Sequence, residues 1–167
     1  GKTLIDVGCG AGFPGVPLAI ACPQLQLTLL DSLGKRMTWL EGFLPQLGVE
    51  AECVTARAEE AVATRREQYD IATGRAVARL NVLLELTAAY VKPGGTLLSS
   101  PCTLCRRENE AVVEAFLRDH PDFETLPLPL PEVFPKNETG MLTLIPGEYD
   151  TDGFFIARMR RKACTNT

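Results

Sequence analysis

Apolar and polar positions follow one another in short blocks that predict strands and helices in turn. Short runs rich in Leu, Ile and Val have the length of buried strands, and longer segments with apolar residues every three or four positions predict helices. The predicted strands are Thr3–Val7, Gln26–Leu30, Val49–Val54, Tyr69–Thr73, Thr96–Ser100, Met141–Ile145 and Gly153–Arg160, with Phe123–Leu128 as a further candidate. The predicted helices are Gly15–Ala21, Leu33–Leu47, Glu59–Gln68, Leu80–Val91 and Arg107–Asp119.

This alternation of strands and helices indicates βαβ units. Such units build a mostly parallel sheet with helices on both faces. The end of the chain breaks the rule, because only the turn signals Pro146-Gly147 and Asp152-Gly153 separate the last two strands. These strands must therefore run antiparallel. We predict an α/β, doubly wound fold with seven strands in the order 3-2-1-4-5-7-6 and an antiparallel last strand.

The composition is typical of one globular domain. The chain has 167 residues, of which 46% are hydrophobic and 23% charged, and these values exclude a disordered chain and a coiled coil. No apolar run reaches the ~18 residues of a membrane span, and no signal peptide is visible, so we predict no membrane association. Because the chain begins at Gly1 without Met, we interpret it as a cut or edited domain, spanning residues 1–167.

Charge and cysteine content narrow the partners. The formal net charge is −4, whereas a dedicated nucleic-acid binder usually has a basic excess. Any RNA substrate is therefore expected to bind a local patch or through few contacts. The six cysteines lack the spacing of a disulfide framework, which predicts reduced thiols and a cytoplasmic protein. Cys102 and Cys105 form a single C-x-x-C without two further ligands, so no metal is predicted.

The strongest candidate for chemistry is a glycine-rich turn after the first strand. Its glycines permit a tight turn and close approach of a ligand to the backbone. Asp31 ends the next strand, where a carboxylate accepts hydrogen bonds from ribose hydroxyls. The loop after the third strand would flank an adenine, which the Ala58 N–H and the Glu59 carboxylate could read. The predicted cofactor residues are Asp6, Gly8, Gly10, Gly12, Asp31, Ala58 and Glu59.

Two cofactors fit a turn of this kind. The run Gly10–Gly15 matches the G-x-G-x-x-G fingerprint of dinucleotide sites. However, Asp6 would repel a pyrophosphate and suits the amino group of a sulfonium amino acid, and Pro14 removes an N–H that a phosphate would need. We therefore predict S-adenosyl-L-methionine, with a dinucleotide and a fold without ligand as alternatives. For Glu59 the alternative is an acid favoured by the helix dipole.

Residues up to about 98 resemble the bacterial small-subunit ribosomal RNA guanine-N7 methyltransferases (RsmG, once called glucose-inhibited division protein B). The resemblance rests on Asp6–Gly15, Asp31–Arg36, Arg57–Glu59 and Tyr69–Ala78. It implies a class I S-adenosylmethionine-dependent methyltransferase fold and ribosomal RNA as the partner. Methylation of N7 requires positioning but no base catalyst, because the atom has a free lone pair. Arg75 is the candidate for positioning the base or a phosphate, and Lys35 and Arg36 are candidates for contacting cofactor or RNA.

Residues 99–162 resemble the C-terminal part of the ribosomal RNA cytosine-5 methyltransferases (the Sun or RsmB family). The matching runs are Ser99–Cys105, Glu108–Val113 and Asp152–Arg158. The resemblance implies Cys102 as the nucleophile that adds to carbon 6 of the base. Proline replaces the usual threonine before Cys102, and Ala72–Arg75 replaces that family's Asp-Ala-Pro-Cys run. Each half therefore carries part of an active site, which favours a chimera joined near residues 94–100.

Three functions remain open at this stage. A guanine-N7 enzyme would use Arg75 beside the methyl donor, and a cytosine-5 enzyme would use Cys102 there. A folded scaffold would bind the cofactor at most and would have no turnover.

Overall fold

The computed structural model describes residues 1–75, 79–101, 109–134, 136–148 and 152–163. The strands are β1 (Thr3–Val7), β2 (Gln26–Asp31), β3 (Ala51–Thr55), β4 (Tyr69–Gly74), β5 (Val91–Ser99), β6 (Phe123–Thr125), β7 (Met141–Leu144) and β8 (Phe154–Arg161). The helices are α1 (Gly15–Ala21), α2 (Gly34–Phe43), α3 (Ala58–Arg65), α4 (Leu80–Ala88) and α5 (Glu110–Asp119). In these described ranges, none of the helices is long and apolar enough to cross a membrane.

All eight strands belong to one sheet. Its order is β3-β2-β1-β4-β5-β8-β6, and β7 pairs with β8 as well. The pairs from β3 to β5 are parallel, and β8 runs antiparallel to β5. The predicted Rossmann-like methyltransferase fold is confirmed, including its antiparallel last strand. The sheet has one strand more than the seven predicted, because β6 and β7 both pair with β8.

The strand order places a switch point at β1. From β1 the chain first winds outward to β2 and β3, and it then returns to β4 on the other side of β1. Val7 pairs with Leu30 of β2 and with Gly74 of β4, so the carboxyl ends of the three strands lie together. In open α/β sheets, ligands bind at the carboxyl ends of the strands beside such a switch point.

Helices cover the sheet through two apolar clusters. On one face, Leu80 and Leu84 of α4 and Phe116 of α5 pack with Phe155 of β8. On the other face, Met37 and other residues of α2 pack with α1 against β1 and β2. Full burial of one such side chain stabilises the fold by ~1.5–3 kcal/mol. The α1–α2 cluster fixes the two strands whose ends carry the glycine loop and Asp31.

Element ends differ from the predictions where proline and glycine occur. Helix α4 ends at Ala88 and β5 begins at Val91, five residues earlier than Thr96. Val91 pairs with Tyr69, and the ladder then shifts before Thr96 pairs with Ile71. Gly94 occupies this irregular stretch with φ +82°. Val91, which lies before the Pro-Gly-Gly run, therefore belongs to β5, where a bulge separates it from the rest of the strand. It does not extend helix α4.

Candidate cofactor site

The glycine loop is tied to the neighbouring strand through its backbone. Gly8, Gly10 and Gly12 have φ values of +67°, +58° and +93°, a region that side chains disfavour. The N–H of Gly8 donates to the Leu30 carbonyl over 2.7 Å. A Cβ on Gly12 would lie 2.7 Å from a methyl carbon of Val16. The loop therefore requires glycine for its conformation, and at Gly12 also for the packing of α1.

Asp31 organises the end of β2 beside this loop. Its Oδ2 accepts from the N–H of Gly10 over 3.1 Å and from Nη1 of Arg36 over 3.0 Å. Its Oδ1 accepts from the N–H of Leu33 over 2.9 Å. The carboxylate is buried, whereas the Arg36 side chain is 42% exposed. These contacts occupy three of the roughly four acceptor positions of a carboxylate.

A cavity of about 580 Å³ opens between the glycine loop, Asp31 and the start of α3. This volume lies within the usual range of small-molecule sites, ~300–1,000 Å³. Polar groups line one side and apolar side chains of α4 line the other. The lining residues are Gly8, Gly10, Leu30, Asp31, Ser32, Leu33, Arg36, Ala56, Arg57, Ala58, Glu59, Arg75, Val82 and Leu86.

Helix α3 presents its amino end to this cavity. Ala58 is its first residue, and the backbone N–H groups of a first helical turn have no acceptor within the helix. The Tyr90 hydroxyl donates to the Ala58 carbonyl over 2.5 Å and so fixes the start of the helix. The half-exposed Glu59 carboxylate lies 3.5 Å from the Arg57 guanidinium. The backbone N–H groups of Ala58 and Glu59 and the carboxylate of Glu59 are thus available at this wall.

Asp6 lies beneath the loop and outside the cavity lining. It is fully buried, and its Oδ2 accepts from the N–H of Gly15 over 2.9 Å. Its Oδ1 has no hydrogen-bond partner within the part of the chain that the structure describes. Burial raises the pKa of Asp6 to about 7, although the Gly15 N–H and the Arg75 charge oppose this shift. Gly12 is likewise absent from the lining residues.

Arg75 marks the mouth of the cavity. Its guanidinium carbon lies 5.9 Å from the centre of the Phe13 ring. Phe13 is 52% exposed and belongs to the glycine loop, so the pair joins the end of β4 to the loop. Of the nine predicted site residues, the cavity therefore brings together Gly8, Gly10, Asp31, Ala58, Glu59 and Arg75. Cys102 lies outside the described residues.

The buried thiol of Cys9 carries no reactivity. Its Sγ packs 3.9 Å from Sδ of Met37. Burial, together with the nearby Asp6 charge, raises the pKa of the Cys9 thiol to about 12. The thiolate is the reactive form of cysteine, so Cys9 remains protonated and fills the core beneath the loop.

A wider groove of about 980 Å³ lies at the opposite edge of the sheet. Thr3, Gln26 and Tyr69, which begin their strands, line it together with Arg65. It lacks the glycine loop, Asp31 and the start of α3. We therefore assign the ligand site to the smaller cavity, because the carboxyl ends of the strands carry the backbone donors.

Comparison with known proteins identifies the family. The family model described as GidB, rRNA small subunit methyltransferase G, matches residues 1–115. The chain belongs to this family. The Alkaliphilus metalliredigens member is 55% identical over 96 residues, which are 56% of this chain and 40% of that protein. The Streptococcus sanguinis member is 42% identical over 115 residues, which are 67% of this chain and 48% of that protein. The chain thus spans about two fifths to one half of these curated relatives.

Solved structures agree with the fold over nearly the whole chain. NSun6 from Pyrococcus horikoshii with SFG, an analogue of S-adenosylmethionine, superposes with a TM-score of 0.81 at 19% identity. The match covers 96% of this chain and 48% of that one. An rRNA methylase from Streptococcus thermophilus gives a TM-score of 0.63 at 18% identity, covering 97% and 87%. At these identities the likeness concerns the fold alone.

These matches confirm part of what the sequence predicted. Membership of the rRNA small subunit methyltransferase G family is confirmed, and the match extends beyond residue 98 to residue 115. S-adenosyl-L-methionine is the cofactor of this family and fold, so the predicted cofactor is confirmed at that level.

The apolar wall of the cavity was not predicted from the sequence. Val82 and Leu86 of α4 and Leu33 before α2 line it. Val82 and Leu33 are 43% and 53% exposed. Their exposure and their position beside the glycine loop depend on the tertiary structure, so no local sequence signal could have identified them.

Proposed function

We propose that this chain is the S-adenosyl-L-methionine-binding domain of a small-subunit ribosomal RNA methyltransferase that acts on guanine N7. The observation that carries the proposal is the convergence of Gly8, Gly10, Asp31 and the start of α3 on one cavity. This arrangement combines backbone donors, a buried carboxylate and apolar walls at the carboxyl ends of the strands. A nucleoside linked to an amino acid requires these three chemical environments.

The residues present fit the cofactor part by part. Asp31 would accept hydrogen bonds from the ribose hydroxyls once Arg36 releases its Oδ2. Val82 and Leu86 would pack against the adenine, and Ala58 and Glu59 would bond its polar edge. Asp6 lies beneath the loop and outside the cavity lining, so its buried Oδ1 would contact the ammonium group only after a shift of the loop. When bound, the cofactor supplies an electrophilic methyl group on sulfur.

The contribution of the protein to the reaction is positioning. Guanine N7 attacks with its own lone pair, so the chain needs no general base. Arg75, at the cavity mouth, would hold the guanine edge or an adjacent phosphate in line with the methyl group. Its guanidinium presents several donors in a fixed plane, which suits guanine O6 or two oxygens of a phosphate and leaves the N7 lone pair free to attack. Phe13 restrains the Arg75 side chain from one side.

Calorimetric titration tests the binding half of this proposal. We expect S-adenosylmethionine and S-adenosylhomocysteine to bind the purified chain with micromolar dissociation constants. Arg75→Ala should leave these constants within a factor of three, because Arg75 acts on the substrate. A folded chain that binds neither ligand would refute the proposal and identify the chain as a scaffold without cofactor.

A methylation assay tests the reaction. The chain is incubated with labelled S-adenosylmethionine and 16S ribosomal RNA, and digested nucleosides are separated by mass spectrometry. The proposal predicts 7-methylguanosine, lost in Arg75→Ala. Formation of 5-methylcytidine, lost in Cys102→Ala, would identify the cytosine-5 reaction instead. Cofactor binding without either product would leave a domain that binds but does not turn over.

We further propose that the chain combines segments of two methyltransferase families. The family match ends at residue 115, and the cytosine-5-like run Asp152–Arg158 includes the start of β8. Strand β8 pairs with β5 through Leu97 and Met159, both fully buried, so the two parts would share one core. Truncation of the chain after residue 115 should therefore abolish cooperative unfolding, whereas independent modules would preserve it.

A further inference from the structure

An exposed aromatic pair lies on helix α2 next to the cofactor site. Trp39 and Phe43 stack with ring centres 4.9 Å apart and planes 17° apart. Trp39 nevertheless remains 54% exposed. Phe43 stacks on one ring face and about half of the side chain remains accessible to solvent, so the indole is oriented in advance. An oriented, half-exposed indole is suited to stacking on a planar ligand.

The charges around Trp39 differ in sign from those of the chain. Residues three and four positions away on a helix are neighbours, and before Trp39 these are Arg36 and Lys35. Among the described residues, the only ion-pair partner of Arg36 is Asp31, and Lys35 has none. The one acid of α2, Glu41, acts on Cys53 of β3, whose pKa it helps to raise. The chain carries a net charge of −4, yet Lys35 places a positive charge without an ion-pair partner among the described residues next to Trp39.

Gly42 keeps the surface beside the indole open. It lies three positions after Trp39 within α2, and a Cβ added to it would meet nothing within 4 Å. Glycine in a helix interior is less stable than alanine. No steric requirement of the fold explains glycine at this position. Because Gly42 has no side chain, the surface next to the exposed Trp39 ring stays open.

We propose that Trp39 is a stacking platform for an unpaired nucleobase of the RNA substrate, with Lys35 contacting the backbone phosphate. The inference rests on the proposed function, since that function supplies RNA as the occupant. Arg36 connects this platform to the cofactor site, because it belongs to the same helix and lines the cavity. RNA stacked on Trp39 would therefore lie on the helix that also contributes Arg36 to the cavity.

An unpaired base fits the patch better than an apolar protein surface. Single-stranded nucleic acids are bound by aromatic rings with cations next to them, without sequence preference. A protein partner would require a wider apolar surface, but beside Trp39 on α2 the apolar neighbour is Phe43, and the other neighbours are Lys35, Arg36 and Gly42. Duplex RNA offers no exposed ring faces within its stack, so the platform selects loops and bulges.

Intrinsic fluorescence provides a direct test, because Trp39 is the only tryptophan of the chain. A single-stranded 12-nucleotide oligoadenylate is titrated at low salt, with a perfectly paired duplex of equal length as control. We expect the single strand to quench the Trp39 emission and the duplex to leave it unchanged. Emission that depends on protein concentration alone would show that a second copy covers the ring, and would overturn the proposal.

Variants distinguish stacking from general charge attraction, with binding measured by anisotropy of labelled oligoadenylate. Trp39→Leu should weaken binding at least about tenfold, whereas Ile20→Ala, which removes a side chain of similar exposure (51%), should not. Gly42→Leu fills the open surface next to Trp39 and should weaken oligoadenylate binding several-fold, although Trp39 is still present. Lys35→Gln should lower the slope of log Kd against log salt by about 0.7, and Lys136→Gln should leave it unchanged.

The outcomes separate this inference from the proposed function. Calorimetry with S-adenosylmethionine tests the function and does not involve Trp39. If the cofactor binds but oligoadenylate does not, or binds Trp39→Leu as tightly as the original chain, the platform is refuted while the function stands. If the cofactor fails to bind but oligoadenylate quenches Trp39, the function is refuted and the platform stands.

Discussion

Arg36 and Asp31 form an ion pair at the edge of the cofactor cavity, with Nη1 of Arg36 3.0 Å from Oδ2 of Asp31. The pair occupies an oxygen to which a ribose would bind. The Asp31 carboxylate already accepts from the N–H groups of Gly10 and Leu33. A ribose whose hydroxyls bond to both oxygens of Asp31 would therefore have to displace Arg36.

Removal of this competitor should strengthen cofactor binding. In Arg36→Met the side chain keeps its length but cannot pair with Asp31, so the carboxylate is available at once. We expect the dissociation constant for S-adenosylhomocysteine to fall a few-fold in calorimetry at low salt. Because Arg36 is partly exposed, added salt should weaken its ion pair with Asp31. The dissociation constants of the original chain and of Arg36→Met should therefore differ less at high salt. Weaker binding by the variant would mean that Arg36 orients Asp31 for its ligand.

Neutralisation of Asp31 should have the opposite effect. Asp31→Asn preserves shape but replaces a charged acceptor by an amide, whose NH₂ group would meet the Gly10 or Leu33 N–H. We expect a loss of about 2 kcal/mol in binding free energy, or roughly 30-fold in Kd for S-adenosylmethionine. Glu41→Gln is the matched control, since it makes the same change on exposed α2 surface and should bind normally. An unaltered Kd in Asp31→Asn would remove Asp31 from the site.

Asp6 should make stability depend on pH. Its pKa is about 7 in the fold, against 3.8 as the ordinary value, so between these values the folded state binds more protons than the unfolded state. The free energy of unfolding therefore falls as pH rises from about 4 to about 7, and then levels off. Asp6→Asn removes this dependence and should gain stability relative to the original chain over that interval. Urea unfolding of both proteins at several pH values measures it, and parallel curves would contradict the assignment.

Replacement of two helical glycines, Gly15 and Gly42, by alanine should change the free energy of unfolding in opposite directions. A Cβ on Gly15 would lie 2.9 Å from Oδ2 of Asp6 and 3.0 Å from Cδ2 of Leu29. Gly15→Ala should therefore lower the free energy of unfolding by about 1–3 kcal/mol. Gly42→Ala meets no atom within 4 Å and should raise it by up to about 1 kcal/mol. Urea titration detects both, and a neutral Gly15→Ala would show that α1 shifts without cost.

Local signals predicted most of the scaffold. Buried parallel strands require continuous apolar runs, so Thr3–Val7 and Gln26–Asp31 are recognisable by composition alone. Gly8 and Gly10 indicated a tight turn, and the structure contains this turn with both residues in the left-handed region. The bulge at the start of β5 could not be predicted, because it depends on pairing of Val91 with Tyr69, which lies far away in sequence.

Within the site, the sequence by itself determined which chemical groups are available: a glycine turn, a carboxylate at the end of β2 and donors at the start of α3. These groups follow from local backbone requirements, and a parallel sheet gathers strand ends at one edge. Only the tertiary structure decided how they are used. Asp6 lies under the loop, Arg36 forms an ion pair with Asp31, and Val82 lines the cavity from α4. Burial and partner choice depend on the packing of distant segments, and no local pattern records that packing.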